Sequence, residues 1–200
     1  MAKPFDFVIS DLHLMHERIR EYCPWNRQYS SREEMTEDII RKLNEQIPEE
    51  STVLCLGDIS LNHEEGVKGL NQLNFNLLVT PGNHDKISRV NQKGWEKTRE
   101  KMLKDCPNVL QIEDYFIFNV GCHRVLFNHY PWIELSDDRH GIKYAEWRPS
   151  RKDFPGVDYC CFGHIHSQPG KQYYDRGLDC GFDPWGRAVS YEEIEEIIAQ

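Results

Sequence analysis

The run Phe75-Asn76-Leu77-Leu78-Val79 leads through Thr80 into Pro81-Gly82-Asn83-His84-Asp85. A short apolar segment ending in Pro-Gly predicts a buried strand that breaks into a loop. Three side chains able to bind a metal or move a proton follow at the strand's carboxyl end, which is where open α/β sheets bind ligands. Alone, an Asn-His loop can be a solvated turn. The question is whether the chain repeats the arrangement.

It does so four more times. Phe5 to Ser10 predicts a strand, and Asp11-Leu12-His13 follows at once. Thr52 to Leu56 predicts a second strand, running into Gly57-Asp58, where Gly permits close approach. Arg124 to Phe127 ends in Asn128-His129, and Val157 to Phe162 ends in Gly163-His164-Ile165-His166. Carboxylate oxygen and imidazole nitrogen in alternation suit Mn, Fe or Zn.

The segments between these strands predict helices. Ser31-Arg32-Glu33-Glu34 has the form of a capping box, and Met35, Ile39, Leu43 and Ile47 recur every four residues, so a helix with one buried face is expected. Glu64 to Leu73 predicts a weaker helix, interrupted by Gly66 and Gly69, and Ile87 to Cys106 a polar one stopped before Pro107. Tyr115 to Val120, a turn at Gly121-Cys122, and Arg124 to Phe127 predict a hairpin. Lys171 to Tyr174 and Gly177 to Phe182 predict short strands. Ser190-Tyr191-Glu192-Glu193 caps a final amphipathic helix carrying Ile194, Ile197 and Ile198.

The 200 residues suit one domain spanning 1–200, with a core built without disulfides. Seven cysteines with no Cys-x-x-Cys give neither a disulfide framework nor a zinc ribbon, and predict buried reduced thiols. No apolar run approaches the ~20 residues of a membrane span, and no signal peptide opens the chain, so a cytoplasmic protein is expected. The formal net charge of −9 disfavours extended phosphate-backbone binding. Trp132 to Gly156 is a long aperiodic stretch, the kind that forms a lid or the edge of a site.

With these residues in order, the chain resembles the calcineurin-like metallophosphoesterases, whose pattern Asp-x-His, Gly-Asp, Gly-Asn-His-Asp/Glu, His, Gly-His-x-His is met in full from Asp11 to His166. The run Ser10-Asp11-Leu12-His13 and the short length resemble the small single-domain bacterial and phage phosphohydrolases of that group. The resemblance implies an α/β fold, a four-layer αββα sandwich of two mixed β-sheets flanked by helices. It implies two divalent cations, Mn2+ first, with Fe, Zn, Ni or Mg as alternatives. Asp11, His13, Asp58 and His166 would hold the first; Asp58, Asn83, His129 and His164 the second. Asp58 would bridge them, consistent with two-metal sites about 3.5–4 Å across in which a bridging hydroxide attacks phosphorus. His84 would protonate the leaving alcohol or orient the phosphate. His16, Asn83 and Arg18 are candidates to touch substrate, and Arg27, Arg124 and Arg148 candidate phosphate clamps.

Protein Ser/Thr phosphatases of the family carry Gly-Asp-x-x-Asp-Arg, whereas this chain has Gly57-Asp58-Ile59-Ser60-Leu61-Asn62. The expected substrate is therefore a small phosphodiester or phosphomonoester, or a nucleotide. Two alternatives stand beside it: a DNA or RNA nuclease with the same two-metal chemistry, and a non-catalytic interaction module. The sequence leaves oligomeric state open.

Overall fold

The computed structural model describes residues 3–91, 93–135 and 144–199. Ten strands form two mixed five-stranded sheets. In chain order the elements are β1 (Phe7–Ile9), α1 (Ile19–Tyr22), α2 (Arg32–Gln46), β2 (Thr52–Cys55), α3 (His63–Leu70), β3 (Asn76–Val79), α4 (Trp95–Asp105), β4 (Val109–Ile112), β5 (Phe116–Val120), β6 (His123–Phe127), β7 (Tyr159–Phe162), β8 (Tyr173–Tyr174), β9 (Gly177–Asp179), α5 (Phe182–Trp185), β10 (Val189–Ser190) and α6 (Tyr191–Ile198). The first sheet has the order β10-β1-β2-β3-β4 and the second β5-β6-β7-β9-β8. Strands β1 to β4 run parallel, as do β6, β7 and β9.

Strand side chains alternate faces, and the alternation sorts the core. Val8, Leu54, Val125, Phe127 and Cys161 share one cluster, which is therefore the layer between the sheets. Ile9, Val53, Cys55, Leu77 and Val79 point the other way, into a cluster with Met35, Ile39 and Leu43 of α2, Leu70 of α3 and Met102 of α4. Leu126, Cys160 and Phe162 face outward from the second sheet, where Trp132, Leu135, Phe154 and Val157 cover them. Described residues on either side of 136–143 thus cover the second sheet, and they include a 3-10 turn at Ala145–Trp147. Each fully buried aliphatic or aromatic side chain in these layers contributes about 1.5–3 kcal/mol.

The α2 stripe lies inward as expected, with Met35, Ile39, Leu43 and Ile47 all buried. The Ser31 hydroxyl accepts from the Glu34 N–H, but the Glu34 carboxylate takes the N–H of Ser30 instead of Ser31, so only half of that capping box forms. The box at Ser190 and Glu193 is complete. Two expectations need correction. The 87–106 helix starts only at Trp95, because Gly94 at φ 76° lies in the left-handed region and restarts the chain after a 3-10 turn. The strand drawn through Phe182 stops at Asp179, and Phe182 opens α5, whose third residue, still in the first turn, is Pro184.

Parallel pairing places the carboxyl ends of β1, β2 and β3 side by side, and those of β6 and β7 likewise. Cross-links bring the two edges together. His129 after β6 reaches the Leu56 carbonyl after β2, and His164 after β7 donates its backbone N–H to the Asp11 carboxylate after β1.

Candidate metal centre

Five of the expected ligands lie on backbone that L-residues rarely adopt. Asp11, His13, Asp58, His164 and His166 have φ of 56°, 48°, 51°, 72° and 48°. Each such non-glycine residue costs of order 1–3 kcal/mol and persists only where the surroundings enforce it. Here the enforcement is visible. The Asp85 carboxylate accepts the N–H groups of Asp58 (2.8 Å), Gly82 (2.8 Å) and Ile59 (3.0 Å), pinning two motif loops to each other. Asp179 accepts from Ser167 (3.0 Å) and Gly181 (2.8 Å), holding the loop that carries His164 and His166. Gly82 is needed because a Cβ there would lie 2.1 Å from Asp58 Oδ1, and Gly163 because one would lie 2.1 Å from Asp11 Oδ2.

The loops converge on Asp58. Its Oδ1 accepts the His84 N–H at 2.9 Å. Its Oδ2 lies 3.6 Å from His129 Nε2, 3.7 Å from His13 Nε2 and 3.9 Å from His84 Nε2. Asp11 Oδ1 is 3.9 Å from His13 Nε2 and 3.8 Å from His166 Nε2. Asp11, His13 and His166 offer donor atoms all within 4.8 Å of one another, and so do Asp11, Asp58 and His129. His164 lies against the second group, its ring centroid 5.2 Å from that of His129.

The electrostatics of this cluster call for a cation. Asp11, His13, Asp58 and His129 are at most 1% exposed. Burial pushes the Asp11 carboxyl up to about 7, and pushes Asp58 well above the usual range, with the charges of Asp85 and Asp11 adding to it. Burial likewise keeps His129 neutral, its pKa lowered to about 3. The Nδ1–H of His129 is committed to the Leu56 carbonyl at 2.7 Å, so Nε2 carries a lone pair. That lone pair faces Asn83 Oδ1 at 3.2 Å and Asp58 Oδ2. Acceptors aimed at one another in a buried site are repulsive until a positive ion stands among them. His13 adds a second sign, since neither ring nitrogen has a hydrogen-bond partner although both are buried. Oxygen and imidazole donors of this kind fit Mn, Fe or Zn.

The sequence matches the calcineurin-like phosphoesterase family over residues 7–168. The chain belongs to that family. The calcineurin-like phosphoesterases use divalent metal ions, and membership makes this protein a metal-dependent phosphoesterase. It is 26% identical to the Gene 66 protein of Mycobacterium phage L5 over 200 residues, covering 94% of this chain and 91% of that protein. An uncharacterized protein of Methanocaldococcus jannaschii is 36% identical over 84 residues, 40% of this chain and 47% of its own length, so the chain spans about half of that relative. A protein of unknown function from Aquifex aeolicus has the same fold, with a TM-score of 0.70 at 22% identity over 96% of this chain and 97% of its own. The phosphopantetheinyl hydrolase of Mycobacterium tuberculosis superposes with a TM-score of 0.55 at 13% identity over 97% and 92%.

Around this phosphoesterase centre the structure also sorts the remaining candidates. His16, Arg18 and His84 line a cleft beside His13 and His166. Arg18 is exposed, 3.8 Å from Glu21 and stacked over the Tyr22 ring at 5.1 Å. Arg148 is buried beside Asn128 and Tyr130 in a neighbouring cavity. Arg124 sits at the amino end of β6, opposite His129, and so does not serve the site. Arg27 is not a substrate clamp either. It is 1% exposed, binds Asp183 through Nε (2.6 Å) and Nη2 (3.2 Å), and donates to the carbonyls of Asp11 (2.5 Å) and Leu12 (2.9 Å). Asp183 in turn accepts from His166 Nδ1 at 2.6 Å. Burial is the largest influence on His166 and opposes its charge, but hydrogen bonds with Asp183 and Cys23 and the charges of Asp11 and Asp183 together outweigh it and hold its pKa well above the usual value. Asp85 stands out in the sequence through its place beside Asn83 and His84, whereas no motif marks Asp179 or Asp183.

No helix among the described residues is long and apolar enough to cross a membrane.

Proposed function

We propose that the protein is a dinuclear phosphohydrolase that cleaves a phosphodiester or phosphomonoester of a small molecule or nucleotide. Asp11, His13, Asp58 and His166 would hold one divalent cation, and Asp58, Asn83, His129 and His164 the other, with Mn2+ the first choice. When bound, such a pair supplies an activated water and neutralises charge on the phosphoryl oxygens. The observation that carries this reading is the convergence on Asp58 Oδ2 of three imidazole Nε2 atoms within 3.9 Å.

The chain's own residues divide the work. Asp58 commits Oδ1 to the His84 backbone and keeps Oδ2 for the centre. The Leu56 carbonyl and Asp183 fix the tautomers of His129 and His166, turning both Nε2 atoms inward. His84, its side chain 39% exposed to the cleft, is placed to deliver a proton from Nε2 to the leaving oxygen. Asn83 and His16 border the phosphoryl position, and Arg18 the cleft mouth. Tyr144, whose ring centroid is 5.7 Å from that of His164, supports the reading of the Trp132–Gly156 stretch as an edge of the site, although residues 136–143 lie outside those described.

Net charge −9 supports a small substrate over an extended nucleic acid, and the donors that Asp11, His13, Asp58, His129 and His166 bring together support an enzyme over an interaction module. Seven free thiols, six of them buried, support a reducing, cytoplasmic setting. The test is Asp58→Asn. It should abolish turnover and lower the metal stoichiometry measured by calorimetry; full activity would refute a shared carboxylate.

A further inference from the structure

The cleft over the centre is too large and too apolar for phosphate alone. Its volume is about 540 Å³, within the range of pockets for whole small molecules. Ile19, Tyr22, Leu61 and Ile165 line it together with His16 and His84. Two of these, Tyr22 and Leu61, are large apolar side chains left 51% and 40% exposed. Singly such exposure is ordinary, but here both side chains, from α1 and from the loop after β2, open onto one concavity at the reactive centre. Leu61 can do nothing for a phosphoryl group, which calls for cations and hydrogen-bond donors, and Tyr22 offers it only the hydroxyl at the tip of an otherwise apolar ring.

We propose that this cleft holds the ester group of the substrate and selects phosphoesters whose alcohol portion carries a flat aromatic ring over compact polar ones. The inference rests on the phosphoesterase reading and extends it to the substrate class. His84 fixes the direction, because a proton donor must stand beside the leaving oxygen and His84 is part of the cleft wall. Flatness follows from the wall's composition: the Tyr22 phenol ring and the imidazoles of His16 and His84 present π faces and edges, and aromatic groups gain beyond their area in offset or edge-to-face contact. The Arg18 guanidinium stands over the Tyr22 ring, 5.1 Å from its centroid. Ile19 and Ile165, only 3% and 5% exposed, form the apolar floor of the cleft.

Phenylphosphonate and methylphosphonate carry the same acidic head and differ only in the group that would enter the cleft. Calorimetric titration of both into the metal-loaded protein should show phenylphosphonate binding about 5- to 100-fold more tightly, the range of stacking a flat ring on an aromatic side chain. In Tyr22→Ala and Leu61→Ser that ratio should fall toward unity. Both positions are half exposed, so the variants should keep the wild-type melting temperature. Equal affinities in the wild type, or a preference that survives both substitutions, would overturn the proposal. Hydrolysis of methyl p-nitrophenyl phosphate separates the failures. Turnover without phenyl preference overturns the aromatic cleft alone, whereas neither turnover nor phosphonate binding overturns the phosphoesterase reading beneath it.

Discussion

Asp183 Oδ2 lies 2.6 Å from His166 Nδ1, and the same carboxylate is gripped by the fully buried Arg27. Because Arg27 also donates to the Asp11 and Leu12 carbonyls, one guanidinium ties the first motif loop to the residue that orients a histidine of the last one. The pair therefore sets the geometry of the Asp11–His13–His166 group from behind, through the His166 Nδ1 and the Asp11 and Leu12 carbonyls. Asp183→Asn should weaken divalent metal binding by about 10- to 100-fold, the usual cost of removing a carboxylate behind a metal-binding histidine. Calorimetry with Mn2+ checks this. Unchanged affinity would show that His166 needs no such support.

Removing Arg27 should cost stability more than chemistry. Breaking a buried ion pair from one side leaves an uncompensated charge and costs about 3–5 kcal/mol. For a chain of this length that lowers the melting temperature by on the order of 10 °C. Arg27→Met, melted beside the wild type in the metal-free form, gives the comparison.

His84 should matter in proportion to how badly the leaving group needs a proton. His84→Ala is expected to lower kcat by about 10²- to 10⁴-fold on an alkyl phosphoester and far less on a p-nitrophenyl ester, whose phenolate leaves unaided. Equal losses on both would assign His84 to phosphate orientation instead.

The carboxyl-terminal helix predicts an acid-side effect. Hydrogen bonds from Arg187, together with those of the Ser190 cap, lower the Glu193 carboxyl from 4.5 to about 2 in the fold. A depressed folded-state pKa gives stability that is present above about pH 4.5 and lost as pH falls toward 2. Melting temperatures of wild type and Glu193→Gln should therefore differ at neutral pH and converge only as pH approaches about 2. A gap constant with pH would rule out the linkage.

Much of the site was legible because each motif sits immediately after an apolar strand. Asp11, Asp58, Asn83, His129 and His164 are visible through local pattern, and parallel pairing then carries them to one end of the molecule. What supports them was not visible. Asp183 lies 17 residues beyond His166, one carboxylate among 33 acidic residues, and its partner Arg27 is 156 positions away. An arginine in a loop reads as exposed, since nothing local shows that Asp183 will bury it. The helix start at Trp95 was missed for a related reason. The polar composition of 87–106 is helix-compatible throughout, and only the left-handed Gly94 and the Asn91 side chain on the Asp85 carbonyl show where the helix begins.

The most direct measurement is metal add-back. Protein stripped by a chelator and resupplied with Mn2+, Mg2+, Zn2+ or Ni2+ would be assayed on bis-p-nitrophenyl phosphate and p-nitrophenyl phosphate, with metal content determined in parallel. The expected result is no cleavage by the stripped protein, restored cleavage on resupply, and two bound ions at saturation. Cleavage that persists without metal, or a protein that takes up no metal, would contradict the proposed dinuclear centre at Asp58.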